Sequence, residues 1–215
     1  MTRLIVVRHG QSEANLAHLF AAHTDAKLTA IGRAQAEAVA EQIAKIEKID
    51  AVYASDLSRA TDTVAPAAAR FGLTVIPDEK LREIRAGDWE NLPFEELRTN
   101  PAYMEDYRMW AEDLPHCRCT GGESVKELYD RVTAEVLEIV KRHDGQTVLI
   151  GTHWTPVAAI LSYSEYGTVE AMSQKLNPIN AALQIFTYED GKLTLVVKNF
   201  DEHLKNVGYV EPYKP

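Results

Sequence analysis

Cysteine is scarce in this 215-residue chain, with only Cys117 and Cys119 present. That excludes a disulfide framework and fits a reducing compartment. His116 beside them makes a short His-Cys-x-Cys tract, to be weighed as a metal site against three loop residues; no second ligand cluster accompanies it, and the loop reading is preferred. Long apolar runs are missing too. No stretch approaches the ~20 residues of a membrane span. Near the N-terminus, Arg3 leaves only four apolar residues before Arg8 and His9, too few for a secretion leader. The expectation is a cytoplasmic protein with no membrane partner. Positive charge is in deficit, with 23 Lys and Arg against 32 Asp and Glu and a formal net charge of -9. This argues against nucleic acid as a partner, so any anionic substrate must be held by a local cationic cluster. Internal repeats and low-complexity tracts are absent.

What is present is alternation. At 46% hydrophobic and 26% charged, the chain suits one globular domain over 1–215 with a sizeable core. Leu4 to Val7, Ala51 to Ala54, Leu73 to Ile76 and Val148 to Gly151 are short apolar runs bounded by turn residues, the pattern of buried strands. Between them fall helical stretches: one capped by Thr29 with Ala36, Val39, Ile43 and Ile46 at helical spacing, and an alanine-rich one over 58–70 despite Pro66. Ser124 to Glu127 forms a capping box opening a helix with a Val125, Leu128, Val132, Val136 and Ile139 stripe, and another helix starts near Pro156. Leu183 to Tyr188 and Leu193 to Asn199 flank Asp190-Gly191 as a hairpin, and the tail after Phe200 is polar and patternless. The prediction is a three-layer α/β/α sandwich with a mostly parallel central sheet. From about 81 to 122, aromatics among charges and punctuating prolines mark a lid-like insertion over the C-terminal strand edge.

Arg8-His9-Gly10 closes the first strand and His153 follows the fourth, so both imidazoles fall on the rim where open α/β sheets bind ligands. A neutral imidazole can attack phosphorus, and a neighbouring guanidinium can fork onto the phosphoryl oxygens. The tripeptide alone fits a structural or solvated pair as readily. Arg59 similarly fits a surface pair with Asp56 or Asp62, and Glu83 one with Arg82 or Arg85.

Several ordered motifs shift that balance. Val6 to Asn15, Thr24-Asp25, Leu28-Thr29, Tyr53 to Thr63, Leu81 to Ile84 with Gly87 to Glu90, Gly121 to Ser124, and Val148 to His153 together resemble the histidine phosphatase superfamily, the phosphoglycerate mutase-like group. The resemblance runs over roughly 3–200 and favours the phosphatase branch. It implies a phosphomonoester hydrolase needing no metal or cofactor, acting on a small phosphorylated metabolite. His9 would form a phosphohistidine, while Arg8, Arg59 and His153 surround the phosphoryl oxygens, with His153 serving best when protonated. Glu83 would be the general acid and base, which requires it to hold a proton at neutral pH. Asn15 would donate to a phosphate oxygen. Gln11 and Ser12 either add backbone N–H groups to an anion nest or simply form the turn.

Departures from the family pattern bear on substrate. Trp154 follows His153 where glycine is usual, and the indole either narrows the pocket, stacks on a substrate ring or packs into the helix. Asn91 and Ala22 likewise stand where glycine is common. His23 is a substrate-pocket candidate, whereas His18, His143 and His203 read as solvated. Arg85, Arg98, Arg108 and Arg118 could hold a second anionic group, although such side chains usually face solvent. The rival readings are a phosphoglycerate-type mutase and a catalytically weak member that binds phosphorylated ligands.

Overall fold

The computed structural model describes residues 1–46, 48–173 and 176–207. The first strand, β1 (Thr2–Arg8), lies mid-sheet and is covered on both faces. Its side chains alternate between two cores: Leu4 and Val6 enter one, Ile5 and Val7 the other. This two-sided burial is why the strand reads as a continuous apolar run. A short helix, α1 (Glu13–Leu16), follows, then α2 (Ala30–Ile46), β2 (Ala51–Ala54), α3 (Ser58–Arg70) and β3 (Val75–Pro77). The third strand starts later than the pattern predicts because Leu73 N–H still bonds the Ala68 carbonyl at the end of α3, beyond Gly72 at φ +67°.

Two helices, α4 (Phe94–Thr99) and α5 (Met104–Glu112), come next. They precede α6 (Val125–Arg142), β4 (Thr147–Thr152), α7 (Trp154–Tyr166), β5 (Leu183–Glu189) and β6 (Lys192–Phe200). The capping box forms, with Ser124 Oγ accepting from Glu127 N–H and the Glu127 carboxylate accepting from Ser124 N–H. Helix α7 opens two residues before Pro156, which occupies its first turn, where proline's missing N–H costs nothing.

The sheet order is β3-β2-β4-β1-β5-β6. The first four strands are parallel and the β5–β6 hairpin is antiparallel, turning at Asp190 and Gly191 with φ of +51° and +79°. Helices α2 and α3 pack on one face, α6 and α7 on the other, giving the three layers. The end of the chain is less featureless than its composition suggests. Leu204 is buried in the second core, and His203 is part-buried, its Nε2–H donating to the Ala181 carbonyl at 3.0 Å. His143 is likewise tied down, between the Tyr53 hydroxyl at 3.0 Å and Gln146 Oε1 at 2.6 Å. Among the described residues no helix is long and apolar enough to cross a membrane.

Strand pairing determines where chemistry can occur. Parallel β1 and β4 align Arg8 with Thr152, and β2 aligns Ala54 with Gly151, so His9, His153 and Ser55 leave the sheet at one level. The turn after β1 is pressed onto α2: a Cβ at Gly32 would sit 2.1 Å from the Gln11 carbonyl oxygen. Gly32→Ala is therefore expected to cost about 1–3 kcal/mol, read as a lower urea midpoint at unchanged denaturant dependence.

Candidate active site

Four side chains meet beyond the ends of β1, β2 and β4. They are nearly sealed from solvent, with Arg8 9%, His9 5%, Arg59 2% and His153 0% exposed. The His9 and His153 rings lie edge to face with centroids 5.2 Å apart. His9 is held by its own N–H, which donates to the Thr152 carbonyl at 2.8 Å and so extends the ladder by one residue.

The tautomer of His9 follows from one contact. Its Nδ1 lies 2.8 Å from the Gly10 carbonyl oxygen. A carbonyl only accepts, so Nδ1 carries the proton and Nε2 keeps its lone pair. Burial, then the Arg59 and Arg8 guanidiniums, hold the ring's pKa well below 6.5 against the opposing Gly10 bond. The His9 ring is thereby held uncharged at neutral pH, with its Nε2 lone pair not engaged among the described residues. His153 is also driven well below its ordinary pKa, by burial first and then by Arg59, His9, Arg8 and His23. Burial among cations therefore favours the neutral ring in the free protein, so the protonated form expected beside a bound phosphate dianion is not the resting one. Its Nε2 lies 2.8 Å from Ser55 Oγ, while Nδ1 is buried and without a partner among the described residues.

The guanidiniums are aimed by backbone carbonyls. Arg8 Nη1 donates to Pro178 at 2.9 Å, and Arg59 donates to Thr24 at 2.8 Å and to Ala22 at 2.7 Å. Neither surface partner weighed for Arg59 engages it; Asp56 instead forms an ion pair with Arg82. That pair also removes Arg82 as a partner for Glu83. The Glu83 carboxylate accepts from its neighbour Ile84 N–H at 2.8 Å and, at 3.2 Å, from Thr155 N–H in the first turn of α7. It therefore stands against the first turn of the helix that follows His153.

The remaining candidates divide. His23 Nε2–H donates to the Glu83 carbonyl at 3.0 Å, so His23 belongs to the loop around the cluster. Asn15 uses Oδ1 locally, accepting from Ser12 N–H at 3.1 Å in a capping box on α1 and from Asn180 at 3.3 Å. Only its Nδ2 is left to donate. The anion-nest reading fails, because Gly10, Gln11 and Ser12 N–H groups are taken by Thr63, Gln35 and Asn15 side chains; these residues form the turn. Trp154 is half-buried and tilted against Trp110 of α5, centroids 6.4 Å apart, which ties the start of α7 to the segment between β3 and α6. Arg98, Arg108 and Arg118 are exposed and paired with Glu95, Glu105 and Glu127. Cys117 and Cys119 lie in the core, their thiols pushed up by burial, Cys117 to about 12, and His116 pairs outward with Asp113 and Glu170.

Four supporting groups escaped sequence reasoning. Glu90 accepts from Ala22, His23 and Thr24 N–H at 2.9, 3.2 and 2.9 Å, so the loop is held by its N–H groups at Glu90 and by its carbonyls at Arg59. Asn180 donates to the His9 carbonyl at 2.8 Å. Arg131, paired with Glu123, donates to the carbonyls of Lys80, Arg82 and Glu83 and fixes the approach to Glu83. Ser55 holds His153. Asn91, where glycine was expected, has φ +61° and bonds Thr24 Oγ1 at 2.8 Å; asparagine tolerates this left-handed backbone by local hydrogen bonding.

The buried neutral rings make stability depend on pH. A histidine whose folded pKa is depressed takes up a proton more readily when unfolded, so its contribution is complete above 6.5 and declines as pH falls towards the folded value. Urea unfolding between pH 7.5 and 5 should show a loss of up to about 1.4 kcal/mol per pH unit for each ring. His9→Asn should remove one ring's share of that slope.

Similarity to known proteins agrees with this geometry. The model of the histidine phosphatase superfamily (branch 1) matches residues 4–201. Phosphoglycerate mutase-like protein 4 of Arabidopsis thaliana is 33% identical over 216 residues, covering 97% of this chain and 89% of that protein. Phosphoserine phosphatase 1 of Hydrogenobacter thermophilus is 31% identical over 214 residues, covering 100% and 99%. Among solved structures, Bacillus stearothermophilus YhfR superposes with a TM-score of 0.87 at 25% identity, over 95% of this chain and 100% of that one. A match spanning nearly the whole chain, on a fold that gathers the two histidines and two arginines, makes this protein a member of the histidine phosphatase superfamily, branch 1.

Proposed function

We propose that the protein hydrolyses phosphomonoesters of small metabolites through a covalent phosphohistidine on His9, without a metal ion or other cofactor. The observation that carries this reading is the fixed His9 tautomer, with Nδ1–H spent on Gly10 and the Nε2 lone pair available beside two guanidiniums. Phosphoryl transfer asks mainly for in-line positioning and neutralisation of charge on the equatorial oxygens, and Arg8, Arg59 and His153 supply donors for both. A metal ion would add positive charge where two guanidiniums already stand.

In the first step, Nε2 of His9 bonds to phosphorus as the ester P–O bond breaks. The departing alkoxide takes a proton from Glu83. In the second step water attacks the phosphohistidine, Glu83 accepts the water's proton, and the P–N bond breaks to return neutral His9 and free phosphate. Glu83 is suited to both transfers by its place, with its carboxyl at the first turn of α7 and within electrostatic reach of Arg59. Asn15 adds a donor through Nδ2. His23 and Trp154 border the alcohol portion of the substrate. The chain works as one domain in which about 81–122 forms a lid-like insertion, supported by the Trp110–Trp154 contact beside the cluster.

The Hydrogenobacter relative is named for phosphoserine, so small hydroxy-acid phosphates head the substrate panel. We expect hydrolysis of p-nitrophenyl phosphate that is unaffected by EDTA, falls to background in His9→Ala, and loses ~10²–10⁴-fold in kcat in Glu83→Gln. Rapid acid-free quenching with radiolabelled substrate should trap label on wild type but not on His9→Ala. Isomerisation of 3-phosphoglycerate with bisphosphoglycerate that outpaces phosphate release would instead identify a mutase. Phosphate binding without release from any substrate would identify a binding member.

A further inference from the structure

We propose that Ser55 is a positioning residue that fixes the tautomer of His153, so that His153 meets the transferred phosphoryl group with an Nδ1–H donor. This rests on the phosphohistidine reading above for its consequence, but not for its structural premise. Ser55 follows β2, is fully buried, and its N–H bonds the Gly151 carbonyl at 2.9 Å. Its hydroxyl oxygen lies 2.8 Å from His153 Nε2 and also accepts, at 3.4 Å, from Leu57 N–H.

A hydroxyl has one proton to give. Leu57 N–H is itself a donor and cannot take it, which leaves His153 Nε2 as the acceptor beside Ser55. If Ser55 donates to Nε2, that nitrogen is unprotonated and a neutral ring carries its proton on Nδ1. Nδ1 is the buried atom that has no partner among the described residues. The opposite tautomer would strand the proton of the buried Ser55 hydroxyl without an acceptor among the described residues and set the Nδ1 lone pair against incoming phosphoryl oxygens.

The surroundings explain why tautomer, rather than charge, is the available control. His153 is faced by Arg8 at the end of β1, His9 just after it, Arg59 from α3 and His23 from the loop between α1 and α2, and it occupies the N-cap position of α7. The two guanidiniums and the positive end of the helix dipole all oppose a second proton on the ring. A neutral Nδ1–H supplies a hydrogen bond without adding a cation, and Ser55 holds the ring in that form before substrate arrives. Glu83 touches α7 at Thr155 rather than at His153, so Ser55 is the side chain that carries out this selection.

The test reads the tautomer directly, without substrate, by ¹⁵N-¹H correlation spectra of the histidine rings at neutral pH, with His153 assigned by difference from His153→Gln. Wild type should show protonated Nδ1 and bare Nε2. Ser55→Ala should shift His153 towards the Nε2–H form and lower kcat/KM for p-nitrophenyl phosphate by about 10–100-fold, whereas Ser55→Thr, which keeps the hydroxyl, should restore both. A wild-type spectrum with Nε2 protonated overturns the proposal, and this measurement decides even where a variant fails to fold. So does a Ser55→Ala protein that keeps the wild-type tautomer, whatever its rate. Failure of the phosphohistidine reading would appear separately, as wild type that forms no labelled intermediate while its tautomer stands as assigned.

Discussion

Backbone pairing between β1 and β4 is the constraint on which the site depends. The two strands are parallel and paired Arg8 to Thr152, and the ladder continues one residue further through His9 N–H and the Thr152 carbonyl. The ring separation is therefore set by backbone hydrogen bonds deep in the sheet, not by flexible side-chain contacts. On the other edge of β4, pairing with β2 brings Ser55 to the same rim and places Arg59 in the first turn of α3. A register slip of one residue would turn every side chain to the opposite face. The two apolar cores, each fed by alternate residues of the same strands, make such a slip costly.

Concentrating two guanidiniums in a sealed site opposes folding unless their donors are satisfied. Backbone carbonyls take up part of that need. Pro178 takes Arg8, and Ala22 and Thr24 take Arg59. Glu90 sits one layer out, gripping the same loop through three N–H groups, so its charge orients the peptide dipoles that receive Arg59 without neutralising Arg59 by direct contact. Such an arrangement gathers both guanidiniums at one strand end, and it explains how a chain of net charge -9 can still present a cationic site.

The parts of this design legible in the sequence are those with a local signature. Buried parallel strands show as short β-branched runs, and their ends pointed to His9 and His153; the Ser124 capping box was readable because its partners are three residues apart. Arg59 and Glu83 required several ordered motifs, since each alone looks like a surface charge. The supporting groups had no such signature. Ser55 and His153 are 98 residues apart, Glu90 and Ala22 68, and Asn180 and His9 171. Hydrogen bonds that span such separations depend on tertiary placement and impose no period on the chain. The β3 start and the His143 and His203 contacts were missed for the same reason: each is decided by a carbonyl or hydroxyl brought in by the fold.

Two histidines in one sealed, cationic environment could be expected to behave alike, and in charge they do: burial and the arginines keep both neutral. Their work differs because each has a different partner on its second nitrogen. Gly10 offers His9 an acceptor, which draws the ring proton to Nδ1 and leaves Nε2 with a lone pair. Ser55 provides a hydroxyl for His153, a group with a proton to give, which allows the ring to keep a donor on the side away from it. On the proposed mechanism the same side chain serves as nucleophile in one position and as hydrogen-bond donor in the other. The distinction comes from a carbonyl and a hydroxyl delivered by the ends of adjoining strands, so the sheet register fixes chemical role as well as distance.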